Sequence, residues 1–224
     1  MFHKYFYMKK NFLLLFCFIS SFAFSQEYHF DYMMRYEVFS ERNNHYTSFH
    51  MINSNDKDVL MEIGLNTITK KFYAIIKDSK KDIVHHFALN DPASDQLQFV
   101  YESSNSLTNY HLYKYDSLQI ERIGQLKYKI STIKNKSIKK NNFIFNIELM
   151  PFEDNLMYVD YEPLRHSEEI EILQLIKSKL MTDEVDNNYI IKLFSSNSNL
   201  KGISVTQKLI ETKKVNVVLN LNNK

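Results

Sequence analysis

Residues Tyr28 to Val38 read YHFDYMMRYEV. Phe30, Tyr32, Met34, Tyr36 and Val38 fall on one side of an extended chain. His29, Asp31, Arg35 and Glu37 fall mainly on the other. A two-residue period of this kind specifies a strand with one face buried.

The same rhythm continues outward. Glu41 to Asn44 reads as a turn, and Tyr46 to Ile52 as the returning strand. Asn53 to Asp58 is a second turn, followed by strands at Val59 to Leu65 and Lys71 to Ile76. Asp78 to Asp82 turns into Ile83 to Leu89. After a loop from Asn90 to Asp95, Leu97 to Glu102, Tyr110 to Tyr115 and Leu118 to Ile123 are expected as strands. Leu126, Tyr128 and Ile130 alternate with polar residues, and Phe143, Phe145, Ile147 and Leu149 alternate less cleanly. Turn signals about every 10–12 residues are the spacing of an antiparallel architecture.

One segment departs from the pattern. Arg165 to Met181 carries Ile172, Leu173, Ile176 and Leu180 at helical spacing, with Ser167 placed to cap. Glu168, Glu169 and Glu171 suit the positive end of the helix dipole, and Lys177 and Lys179 the negative end. Beyond it, Tyr189 to Phe194 is apolar on both faces and predicts a covered central strand. Ile203 to Ile210 and Val215 to Leu221 predict a closing hairpin around Glu211 to Lys214. The expected fold is mainly β: a large curved antiparallel sheet or half-barrel, with one helix at about 166–181 packed against it. No linker divides residues 26–224, which are expected to form a single domain.

Ahead of that domain, Met8 to Gln26 reads MKKNFLLLFCFISSFAFSQ. Lys9 and Lys10 precede an apolar run from Phe12 to Phe24, and Ala23 and Ser25 stand at −3 and −1 relative to a cut before Gln26. This is the order of a secretory signal peptide, expected to occupy residues 1–25, and the run is short of the about 20 apolar residues a span needs. Bulky Phe16 before Cys17 argues against a lipid-modified cysteine. Cleavage would remove Lys4, Lys9, Lys10 and no acid, so the 28 basic and 26 acidic residues become a mature charge of −1. That balance gives no reason to invoke nucleic acid. The single cysteine would leave too, and the three glycines are too far apart for a phosphate loop.

Candidate chemistry is sparse. His85 and His86 are neighbours on a strand and point to opposite faces, so the pair cannot easily share one metal ion. His29, His45, His50 and His111 lie on other elements. Asp183, Glu184 and Asp186 lack the spacing of a calcium loop. Lys134, Lys136, Lys139 and Lys140 suit a solvated turn, and no G-x-S-x-G is present. No catalytic, cofactor-binding or metal residue is therefore assigned. The aromatic faces (Phe30, Tyr32, Tyr36; Phe99, Tyr101; Phe143, Phe145) suit a core or a greasy cavity in a curved sheet.

The leader ending FSQ, with YHFDYMMRYEV and NHYTSFHMINSNDKDVLMEI after it, resembles exported proteins of the flavobacterial (Bacteroidetes) type that have no assigned role. The resemblance covers the leader and about the first quarter of the remaining chain, and implies a periplasmic, outer-membrane-associated or extracellular setting. The expected architecture is similar to the lipoprotein-carrier half-barrels. Three functions follow as expectations. The first is a non-enzymatic protein binding a lipid or other apolar small molecule in the curved sheet. The second is a structural or interaction protein that meets a cell-envelope partner through a sheet edge or apolar patch. An exported hydrolase ranks third.

Overall fold

A computed structural model describes residues 26–40, 45–66, 68–92, 96–107, 117–133, 143–159, 166–182, 188–198 and 204–221. The leader, His111, Lys134 to Lys140, Asp183 to Asp186 and the strand expected at Tyr110 to Tyr115 lie outside them.

Eleven strands form one antiparallel sheet that is not closed into a barrel. They are β1 (Gln26–Ser40), β2 (His45–Asn53), β3 (Asp56–Leu65), β4 (Phe72–Asp78), β5 (Ile83–Leu89), β6 (Phe99–Ser106), β7 (Ser117–Gly124), β8 (Lys127–Ile133), β9 (Phe143–Pro151), β10 (Tyr189–Ser198) and β11 (Val205–Leu221). A single helix among the described residues, α1 (His166–Thr182), lies between β9 and β10 in the chain. The spatial order is β6-β5-β4-β3-β2-β1-β11-β10-β9-β8-β7. Written as a ring, this is chain order with one break, between β6 and β7. Those two edges are consecutive in sequence, so the eleven residue steps from Ser106 to Ser117 hold them within about 40 Å. The sheet must curve to satisfy that limit.

The curvature is strongest around β1. β2 pairs with β1 only from Tyr32 to Phe39, so Gln26 to Phe30 pairs with β11 alone and forms a two-stranded ribbon. Tyr28 and Phe30 share a strand face with Tyr32, whose cross-strand neighbours on that face are Ile52, Leu60 and Lys77. Yet Tyr28 and Phe30 pack with Met51, Met61, Ile63, Ala74, Ile76 and Phe87, which the register places on the opposite face. The ribbon has coiled over the sheet and covers its other side. Two register shifts, between Phe30 and Tyr32 and between Arg35 and Tyr36, supply the added twist.

The closing hairpin expected at Glu211 to Lys214 is absent. Those four residues pair with Arg35, Met34, Met33 and Tyr32 inside one continuous 17-residue strand. Glu-Thr-Lys-Lys contains no Gly, Pro, Asn or Asp to favour a turn, and the 15-residue β1 offers a partner along its whole length.

The second half of the sheet carries the helix. Ile172, Ile176 and Leu180 are 0–5% exposed and pack on Tyr128, Ile130, Phe145, Ile147, Leu149, Tyr189, Ile191 and Phe194. This stripe is the helical spacing read from the sequence, and it fills the helix–sheet interface. The helix begins at His166, which puts Ser167 inside the first turn rather than at the cap. β10 is covered as expected, with Tyr189, Ile190 and Ile191 all buried. It meets β11 over only four residue pairs, Leu193 to Ser196. Beside that short seam the chain after β9 runs along β10: Leu156 bridges Ile190 in parallel, and its N–H donates to Tyr189 O at 2.9 Å. No described helix is long and apolar enough to cross a membrane.

Candidate functional site

The helix has a second stripe. Glu169, Leu173 and Lys177 follow one another at four-residue spacing, with Ile170 and Gln174 alongside. Where the first stripe meets a filled core, this one faces a cavity of about 200 Å³. Its other wall is Lys57 and Asp58 from the start of β3, and Tyr158 and Val159 from the segment that runs along β10. Three separate stretches therefore build the site: a strand start, an extended connection and a helix.

The polar groups are unevenly satisfied. Lys57 is half-buried, and its Nζ donates to Asn155 O at 2.8 Å. Burial holds its pKa below the usual lysine value, and the nearby Lys177 ammonium lowers it further. Asp58 accepts from Lys80 at 3.1 Å. Glu169 is buried and has its own partner. Tyr158, Val159, Ile170 and Leu173 supply apolar surface. An apolar pocket with a few convergent polar groups is the usual form of a small-molecule site.

No protein-family model matches the chain, and no curated protein matches it.

A second polar constellation lies under the β1–β11 ribbon. Tyr28 Oη donates to Asp78 Oδ2 at 2.9 Å and lies 3.0 Å from His85 Nε2. Lys81 Nζ also reaches Asp78 Oδ2, at 3.1 Å. Tyr28 has one proton, and Asp78 takes it, so His85 Nε2–H must be the donor to Tyr28. That assignment leaves His85 Nδ1 as the acceptor for Ser104 Oγ–H at 2.5 Å, and Ser104 then accepts from Tyr101 Oη at 2.7 Å. That acceptor role belongs to the neutral imidazole, which burial favours by lowering the His85 pKa. Burial and the Asp78 hydrogen bond push the Tyr28 phenol up. This chain ties β1, β4, β5 and β6 together. Its serine lies on an edge strand, and the imidazole is enclosed.

The histidines singled out in the sequence are dispersed. His85 is buried, whereas His86 pairs with Ile75 on the other face. His29 meets Glu27; His45 stacks on Phe39 and meets Glu37; His50 lies against the Tyr36 ring. Among the aromatics, Phe30, Tyr32, Tyr36 and Phe145 are buried, while Tyr101 is exposed on β6. The pocket residues Lys57, Tyr158 and Val159 carried no mark in the sequence. The signal that could have found the helical wall is the stripe Glu169–Leu173–Lys177, apolar at its centre and charged at both ends.

Proposed function

We propose that the protein is an exported, non-enzymatic binding protein of the cell envelope that holds an apolar chain in the pocket beside α1. The leader pattern from Lys9 to Ser25 supports export. One observation carries the binding role: a cavity of about 200 Å³ with an apolar floor beside a helix whose adjacent stripe is fully packed. The volume equals roughly seven waters at about 30 Å³ each, which suits one short or partly inserted chain. The site envisaged is thus narrower than a whole curved sheet lined with ligand, because Ile172, Ile176 and Leu180 already occupy the middle of the helix–sheet interface. Native mass spectrometry of protein released from the periplasm of a diderm host tests the reading. An adduct lost on denaturation is expected. A bare mass, together with no uptake of added octanol or octanoate, overturns it.

The β6 edge favours a second reading, as an interaction protein. Val100 and Tyr101 are 63% and 51% exposed, and the outer side of β6 pairs with no described strand. A partner could add a strand there. Co-purification of an envelope protein, lost when Val100 and Tyr101 are replaced by Lys, is the expected result.

A further inference from the structure

We propose that the ligand of the α1 pocket has an anionic head, a carboxylate or phosphate, held between Lys57 and Lys177. This inference rests on the binding role proposed above and specifies its chemistry.

The argument starts from charge. Two ammonium groups line one small cavity and repel each other, although the cavity also contains Asp58 and Glu169. Each carboxylate has a partner of its own. Asp58 is bound to Lys80, and among the described residues no ion pair reaches Lys57 or Lys177. Lys57 has three N–H donors and gives one to Asn155 O. Two donors thus remain on a half-buried cation, and three on its exposed neighbour.

Partial burial of an unpaired charge is costly, and a like charge beside it adds to the cost. An anion between the two ammoniums removes both penalties and forms charge-assisted hydrogen bonds. The apolar side chains set the rest of the ligand. Leu173 lies about one helical turn and Ile170 about two from Lys177 and, with Tyr158 and Val159, they offer nothing to a second charge. The matching molecule is a single-chain amphiphile: a short hydrocarbon tail against Leu173, with one anionic group at the lysines.

Isothermal titration of the purified protein with octanol, octanoate, octyl phosphate and octylamine tests this, since the four share a chain and differ only in the head. Octanoate or octyl phosphate should bind at least tenfold more tightly than octanol, and octylamine more weakly than all. The tighter of the two anions identifies the head as carboxylate or phosphate. Lys177 is exposed, so Lys177→Met should fold normally; it should lower anion affinity about fivefold and octanol affinity much less. Lys57→Met should do the same, with a larger loss. Equal affinity for octanol and both anions, or preference for octylamine, overturns the anionic head while leaving the apolar pocket intact. Failure of all four ligands to bind instead removes the binding role itself.

Discussion

Tyr28 Oη and Asp78 Oδ2 are 2.9 Å apart, although Tyr28 belongs to the first strand and Asp78 to the end of the fourth, 50 residues on. This hydrogen bond fastens the coiled ribbon to the sheet. Tyr28→Phe keeps the ring packing but leaves the buried His85 N–H without an acceptor and removes one donor from Asp78. A loss of about 1–3 kcal/mol is expected, read as a lower urea midpoint with an unchanged slope. An unchanged midpoint would contradict the clamp.

The same substitution at Tyr189 should act in the opposite direction. The Tyr189 hydroxyl is buried with no hydrogen-bond partner among the described residues. Tyr189→Phe removes a desolvated polar atom and keeps the ring, so stability should hold or rise by up to about 1 kcal/mol. A clear loss in thermal midpoint would mean that the hydroxyl is satisfied in solution.

Acid should loosen the ribbon through His85. Burial lowers its folded-state pKa below the ordinary 6.5. The unfolded chain therefore binds the proton more readily, and this contribution to stability is complete above 6.5 and is lost as pH falls from there through the folded value. Glu148, whose pKa Lys192 and Lys127 lower by donating to it, adds a further loss below its ordinary 4.5. Chemical denaturation from pH 7.5 to 5 should show declining stability, and His85→Gln should flatten that decline. A flat wild-type profile would refute the neutral buried imidazole.

Packing beneath the helix is tested at Ile176, which is fully buried among sheet side chains. Ile176→Ala should cost roughly 2–5 kcal/mol. Met181, 80% exposed on the same helix, is the control, and its replacement by Ala should stay within about 0.5 kcal/mol. Equal effects would show that α1 does not pack on the sheet.

Gly64 is directly opposite Tyr73, and a Cβ there would collide with the Tyr73 hydroxyl end of the ring. Because the obstacle is the far end of one side chain, Gly64→Ala should cost only about 1 kcal/mol as the ring swings aside. Restored stability in a Gly64→Ala, Tyr73→Ser double variant would confirm the contact. Purely additive losses would deny it.

Much of this fold is legible in the sequence because burial on one face imposes a two-residue period on each strand. β5 matches its sequence-derived limits at both ends, and the helix matches to within one residue. β11 reads as a hairpin for a physical reason. Its half-buried positions run 205, 206, 207, 209, 212, 215, 217, 219, 221. The two three-residue steps come where the pairing with β1 shifts register, so one bulged strand looks like two strands around a polar turn. The pocket was illegible for a different reason. Lys57 lies in a stretch that reads as a turn, and only tertiary packing brings it to α1. Leu173 was counted with the core stripe, although it also lines the cavity.

The pocket itself is the central claim, and filling it is the most direct test. Leu173 is half-buried at its wall, so Leu173→Trp should occupy the cavity with modest effect on folding. Titration with octanoate, run beside a urea melt, should show affinity falling at least tenfold while the melt stays cooperative. Undiminished octanoate affinity in a folded Leu173→Trp protein would place the ligand elsewhere and contradict the account.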